Sequence, residues 1–242
     1  MVRLSVNVNK VATLRNSRGG AVPSLTDAVK TCLAAGAPGI TVHPRADQRH
    51  ITPTDAREVA TLLAPRRSDV EYNMEGDPRP DFLELVHELK PHQVTLVPVK
   101  PGEITSEAGW PADTALDDIV ADLKKAEMRV SLFVDPTPEA VTWAKEVGGD
   151  RVELFTEPYA EAAAISSDSA SRSFAQYVDA ATQAHDLGLG INAGHDLDLD
   201  NLVLFRDLPH LDEVSIGHAL MSRALFVGLD RVVREYLGVL AP

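Results

Sequence analysis

The feature that most constrains this chain is a repeated alternation of short β-branched runs with longer stretches of helical period. The strand candidates are Leu4–Val8, Gly39–His43, Val70–Met74, Gln93–Val97, Arg129–Val134, Arg151–Phe155, Leu189–Asn192 and Glu213–Ile216. Helical candidates lie between and after them: Ser24–Ala35, Pro53–Leu63, Pro80–Leu89, Leu116–Ala126, Pro138–Glu146, Ala170–Leu187, Leu199–Arg206 and Leu220–Leu237, the last broken at Gly228. Ser24 with Asp27, Thr52 with Pro53 and Asp55, and Thr137 with Pro138 supply helix-starting chemistry. Gly36 and Gly188 supply stops. Over 242 residues this makes units of about 30, the size of a βαβ step. Runs such as VTLV and VSLFV read as strands buried on both faces. Eight such units favour closure, because a closed sheet has no edge to protect. The expectation is an α/β chain whose residues 1–242 form a single (β/α)8 barrel domain, with a mobile loop inside the Ala- and Ser-rich segment 160–173.

Charge and composition narrow the function. The formal charge is -13 and aromatic residues make up 5%. That balance argues against nucleic acid and against anionic membranes as partners. No apolar run reaches the length of a membrane span, about 18 residues. The N-terminus alternates as a strand does, unlike a signal peptide. The expected setting is cytoplasmic, and the lone Cys32 fits a packing role in a reducing compartment. An anionic substrate would need positive charge gathered locally.

In such a barrel, chemistry sits at the C-terminal ends of the strands. The polar residues expected there include Asn7, Asn9, His43, Arg45, Glu75, Lys100, Thr105, Asp135, Glu153, Thr156, Asn192 and His195. His43, His50, His195 and His218 fall on this face; His87, His92, His185 and His210 read as surface histidines elsewhere. Imidazole titrates near neutrality, so His43 and His195 are candidate acid–base groups, or else strand-end and loop histidines held by hydrogen bonds. Glu75 ends an apolar run, where desolvation raises a carboxyl pKa, unless a cation such as Arg45 pairs with it. Two anion sites suggest themselves. One is the strand-to-helix turn at Gly217-His218, with free N–H groups and a helix dipole. The other is the cationic set Arg15, Arg18, Arg45, Arg49 and His50, alternatively surface ion pairs. The acids of Asp196–Asn201 are spaced like a calcium loop. Asn201 stands where an EF-hand needs glycine, which favours a helix cap instead.

Taken in order, NVNKVATLRNSRG (7–19), GITVHPRADQRHI (39–51), NMEG (73–76), VTLVPVKPGEITSEAGW (94–110), VSLFVD (130–135), RVELFTEPYA (151–160), INAGHDL (191–197) and SIGHALMSRAL (215–225) resemble the pyridoxine 5'-phosphate synthase (PdxJ) family. The resemblance spans essentially the whole chain. It implies a (β/α)8 TIM barrel with extra helices, assembled as a homo-octamer of dimers. The implied reaction condenses 3-amino-2-oxopropyl phosphate with 1-deoxy-D-xylulose 5-phosphate in vitamin B6 biosynthesis. The products are pyridoxine 5'-phosphate, phosphate and water, with no metal or organic cofactor. Carried over by position, His43 and Glu75 match proton acceptors, His195 a proton donor and Glu153 an assisting carboxylate. Asn7, Arg18, Gly217 and His218 match contacts to the aminoketone phosphate; Arg45, His50 and Thr105 match contacts to the ketose phosphate.

The chain departs from better-known members in four places. Asn9-Lys10 replaces Asp-His in the ketose-phosphate subsite, and Asp196 replaces a glycine on the aminoketone side. Val99 stands for an acid, and Phe155-Thr156-Glu157 for His-Thr-Gly. Other readings of such a barrel are a sugar-phosphate isomerase or epimerase, a metal-dependent hydrolase, and a non-catalytic vitamer-binding paralogue. The Arg-rich first loop and the 73–76 motif oppose the isomerase. Asn7-Val8-Asn9 opposes the hydrolase, which usually has two histidines after the first strand. Joint retention of His43, Glu75 and His195 opposes the paralogue.

Overall fold

The computed structural model describes residues 1–100 and 102–241. Pro101, within the 94–110 motif, and Pro242, the last residue of the expected domain, lie outside the described residues. The strands are β1 (Arg3–Asn7), β2 (Gly39–Val42), β3 (Glu71–Gly76), β4 (Gln93–Leu96), β5 (Arg129–Val134), β6 (Arg151–Leu154), β7 (Gly190–His195) and β8 (Leu211–Ile216). All pair in parallel in chain order, and β8 pairs with β1 to close the barrel.

Helices follow each strand: α1 (Asn9–Asn16) and α2 (Leu25–Ala34), α3 (Pro53–Leu63), α4 (Pro80–Leu89), α5 (Asp117–Lys125), α6 (Pro138–Glu146), α7 (Glu157–Ile165) and α8 (Ser167–Asp186), α9 (Leu202–Phe205), then α10 (His218–Val227) and α11 (Leu229–Leu240). The expected caps form. Ser24 and Thr137 accept from the N–H groups of Asp27 and Ala140, and Thr52 makes a capping box with Asp55. Gly228, at φ 88°, breaks the last helix as expected.

Three expectations need correction. The mobile loop in 160–173 is instead α7 running into α8. The alanines favour helix, and the hinge residue Ser166 accepts from Ser169 N–H at 3.1 Å to start α8. Tyr159 of α7 is buried against Tyr177 and Phe205, with ring centroids 6.0 and 4.9 Å away. The stretch after β1 is helix α1 rather than loop. It carries no side-chain cap, so its start leaves no capping signal.

The strands are also not apolar on both faces. Leu4, Val6, Ile40, Val42, Tyr72, Met74, Val130 and Leu132 belong to the main core under the helices. Their alternate neighbours Ser5, Thr41, Asn73, Thr95, Ser131, Glu153 and Ser215 are buried inside the barrel. Bonds between non-adjacent strands prove the inward orientation. Ser215 of β8 donates to Thr41 of β2 at 3.3 Å, and Asn192 of β7 to Gln93 of β4 at 3.3 Å. At the N-terminal end, Arg129 bonds Gln93 at 2.8 Å and pairs with Glu71, while Arg151 donates to Asn192 at 2.7 Å. Asn192, expected at the active face, therefore belongs to this lower layer.

Glu213 lies in that layer too, 1% exposed, and burial pushes its carboxyl up to about 8. An unfolded glutamate titrates near 4.5, so the folded state holds the proton more tightly between those values. Stability contributed by that proton is present at low pH and lost as pH rises toward about 8. Buried His43 and His50 act in the opposite sense only below their ordinary value of 6.5. The melting temperature should therefore fall between pH 6.5 and about 9, and Glu213→Gln should flatten that fall. Calorimetry across the pH series checks it; an unaltered slope in the variant would assign the fall elsewhere.

Candidate active site

The upper end of the barrel opens into a cavity of about 410 Å³. Asn7, Asn9, Lys10, His43, Arg45, His50, Glu75, Thr105, Glu153, His195, Asp196, Gly217 and His218 line it as expected, whereas Arg15, Lys100, Asp135, Thr156, Asn192 and Arg18, the last exposed beyond the end of α1, do not. The cavity of one chain is thus built without Arg18. Arg15 is not a free cation either: its guanidinium grips both oxygens of the capping Asp55, with Nη2–Oδ2 at 2.8 Å, and so ties α1 to α3.

Glu75 forms the floor. It sits inside β3 rather than beyond it, 8% exposed. Its carboxylate accepts from Asn7 Nδ2 at 3.3 Å and Ser215 Oγ at 3.4 Å, and lies 3.8 Å from His43 Nδ1. No lysine or arginine pairs with it among the described residues, so the salt-bridge alternative does not hold. Burial pushes it up to about 8, against a lesser opposing pull from the Ser215 bond. Glu153, 4% exposed, is likewise pushed up to about 8, first by burial and then by the charge of Glu75. Two desolvated carboxyls inside one lumen resist double ionisation.

The histidines complement them. Burial, then the charges of His50 and Arg45, drives His43 well below its ordinary value, so its imidazole is neutral and free to accept. Its Nε2 has no partner among the described residues. Asn9 accepts from the His43 backbone N–H at 2.9 Å, so this side chain, expected at substrate, also braces His43. His50 is pulled to about 4 by burial and by Arg45, and its Nδ1 accepts from Ile51 N–H at 3.0 Å. His195 closes β7 with φ 71°, a left-handed conformation that costs a non-glycine residue about 1–2 kcal/mol. Its ring is held between Asp196 Oδ2, 3.1 Å from Nδ1, and Thr105 Oγ1, 2.6 Å from Nε2.

Positive charge gathers at the mouth in this acidic chain. Lys10, Arg45 and Arg49 line one side, with neutral His50 beside them; Gly217 and His218, at the start of α10, line another. Arg49 donates to the carbonyls of Glu103 and Ile104 at 3.1 and 3.2 Å, tying the segment after β4 to the loop after β2. Lys100 stays exposed beside Glu103. Asp198 accepts from the N–H groups of Asp200 and Asn201, so the acidic run forms the turn that leads into α9, whose own start carries no side-chain cap. Among the described residues no three His, Cys, Asp or Glu side chains gather where they could hold a metal ion. Cys32 is buried in α2, its thiol pushed up to about 12 by desolvation.

The histidines off this face divide. His87 pairs with Asp122 at 2.7 Å, and His185 stacks on His210 at 3.6 Å, all on the surface. His92, expected as a surface group, is instead half-buried between Tyr72 N–H and the Arg67 carbonyl. Ser215, Val97 and Phe133 also line the cavity and were not singled out in the sequence. The period-2 phase carried the signal: Phe133 is two residues from inward Ser131, and Ser215 two from Gly217.

The model of the family described as "Pyridoxal phosphate biosynthesis protein PdxJ" matches residues 4–241. A pyridoxine 5'-phosphate synthase of Bacteroides fragilis is 50% identical over 240 residues, covering 98% of each chain. One of Leptospira biflexa is 47% identical over 254 residues, covering 100% of this chain and 98% of that protein. Among solved structures, phosphoribosyl anthranilate isomerase of Thermotoga maritima superposes with a TM-score of 0.63 at 12% identity, over 99% of this chain and 98% of that one. At that identity the likeness concerns the fold alone.

Gly194 is the position where the site tolerates least. A Cβ there would lie 2.2 Å from the Ser215 carbonyl oxygen, a backbone atom that cannot swing away. Gly194→Ala should cost about 1–3 kcal/mol of stability and displace Ser215 from Glu75. Thermal melts check the first effect. A variant melting like the parent would show that the β7–β8 backbone yields.

Proposed function

The chain belongs to the PdxJ family of pyridoxal phosphate biosynthesis proteins, and we infer that it acts as a pyridoxine 5'-phosphate synthase in vitamin B6 biosynthesis. The reaction we propose joins 3-amino-2-oxopropyl phosphate to 1-deoxy-D-xylulose 5-phosphate. It yields pyridoxine 5'-phosphate, inorganic phosphate and water. The observation that carries this reading is the buried Glu75 flanked by neutral His43, beneath a rim with two separate sources of positive potential.

Two phosphates enter, and two anion subsites match them. Asn7 with the N–H groups of Gly217 and His218 suits the aminoketone phosphate. Arg45, with Lys10, Arg49 and His50, suits the ketose phosphate. The chemistry is then a chain of proton transfers. The substrate amine attacks the ketose carbonyl and must lose a proton, which neutral His43 can take. The carbinolamine must lose water, which needs a proton donor at the departing oxygen; His195 has that role. Glu75 removes a carbon-bound proton in the later eliminations, and Glu153 balances charge beside it. A base that titrates near the working pH exchanges protons both ways at low cost. The amine comes from the substrate, so no enzyme lysine is needed as a nucleophile.

Among the described residues no helix is long and apolar enough to cross a membrane, and we place the enzyme in the cytoplasm. We also propose assembly into the family's octamer of dimers. Leu225 and Phe226 of α10, 73% and 88% exposed, support an interface on that face. Light scattering should return a mass well above 26.1 kDa.

Purified protein given both substrates should form pyridoxine phosphate, read by its fluorescence, with release of inorganic phosphate. Neither signal with fresh aminoketone phosphate would sink the reading. Glu75→Gln should lose about 10²-fold or more in turnover with an unchanged circular dichroism spectrum. For the parent, kcat/KM should rise with pH toward about 8 as Glu75 ionises.

A further inference from the structure

The lumen is polar nearly throughout, and three buried side chains break that rule. Val97, Phe133 and Phe155 are 6%, 2% and 5% exposed and form an apolar cluster apart from the main core. Val97 follows β4, its N–H bonded to the Gly76 carbonyl at 3.0 Å. Phe133 points inward in phase with Ser131 and Arg129. The two phenyl rings lie 5.6 Å apart, and their centroids are 6.2 and 6.4 Å from the His195 ring. Val97 and Phe133 line the cavity itself; the other apolar lining residue with a large side chain, Ile104, is 81% exposed on its loop.

The face that Val97 and Phe133 turn to the cavity suits an apolar group, while the other buried side chains of the lining offer hydrogen bonds. The substrates leave one choice. Each carbon of the aminoketone phosphate bears nitrogen or oxygen. In the deoxyketose phosphate only the C1 methyl does not, and it is one bond from the carbonyl that the amine attacks. Resting on the substrate assignment above, we propose that Val97 and Phe133, backed by Phe155, form a methyl-binding platform. The platform selects the 1-deoxyketose phosphate over its 1-hydroxy counterpart and holds the adjacent carbonyl beside His195. A hydroxymethyl group in the same place would bury a hydroxyl against carbon without a partner, at a cost in binding. An apolar pocket rejects a hydroxylated analogue by about 10²-fold.

The test compares kcat/KM for 1-deoxy-D-xylulose 5-phosphate and D-xylulose 5-phosphate at saturating aminoketone phosphate. The unaltered enzyme should prefer the deoxy sugar by about 10²-fold. Val97→Thr, which keeps the shape and adds a hydroxyl, should cut that preference about tenfold or more while leaving the KM for the aminoketone phosphate unchanged. Phe133→Tyr provides a second polar variant with the same expectation. Equal use of both ketoses by the unaltered enzyme would overturn the platform, and so would an undiminished preference in folded Val97→Thr. If the unaltered enzyme turns over neither ketose, the substrate assignment falls and the platform with it.

Discussion

The rest of this structure depends on the hydrogen bonding of the barrel's interior. Many barrels fill the lumen with layers of Val, Ile and Leu. Here Ser5, Thr41, Asn73, Thr95, Glu153 and Ser215 point inward, with Gln93, Arg129, Arg151 and Asn192 below them. Polar groups out of water cost stability unless they find partners. Many find partners inside the barrel, Ser5 with Thr41 at 2.6 Å and Thr95 with Asn73 at 3.0 Å between neighbouring strands and Ser215 with Thr41 between non-adjacent ones, while Ser131 Oγ and Glu153 Oε2 have none among the described residues. Net stability must then come from the outer shell, where apolar strand faces meet the helices. The division of labour is radial, with cohesion outside and chemistry inside.

That arrangement explains the electrostatics of the site. A carboxyl buried in the lumen is poorly hydrated, so Glu75 and Glu153 hold their protons to about 8. The same desolvation strips the proton from His43. One physical cause thus produces a proton-holding acid and a proton-accepting imidazole 3.8 Å apart. The mouth is the reverse: cations, backbone N–H groups and solvent collect there, and anionic groups of a substrate can be held without entering the low-dielectric floor. A net charge of -13 coexists with anionic substrates because Lys10, Arg45 and Arg49 stand together on one rim, giving local positive potential in an acidic chain.

Much of the fold was readable. Strand order follows chain order, so each βα unit needs only local signals, and Thr52-Pro53 or Ser24-Asp27 supply them. Residues at strand ends were readable for the same reason: His43, Glu75 and His195 each close a short run. The misses share a different cause. Helix α1 starts without a side-chain cap, and α7 is held by Tyr159 docking on Tyr177 and Phe205, far along the chain. Arg15 looked like a phosphate ligand until Asp55 came into reach, 40 residues away. Asn192 belongs to the lower layer, a height set by strand register rather than by proximity to Gly194.

Sequence alone determined the number and order of the barrel's units and the set of side chains near its upper rim, because both follow from local periodicity and from where each run stops. Only the tertiary structure decided which of those side chains meet. Ser215 and Asn7 reach Glu75 because β8, β1 and β3 curve around one lumen. Asp196 and Thr105 clasp His195 because two loops converge above it. Closure of the sheet converts an alternation of small polar and apolar residues into a sealed polar interior, and burial, a property of that whole assembly, sets the proton affinities on which its chemistry rests.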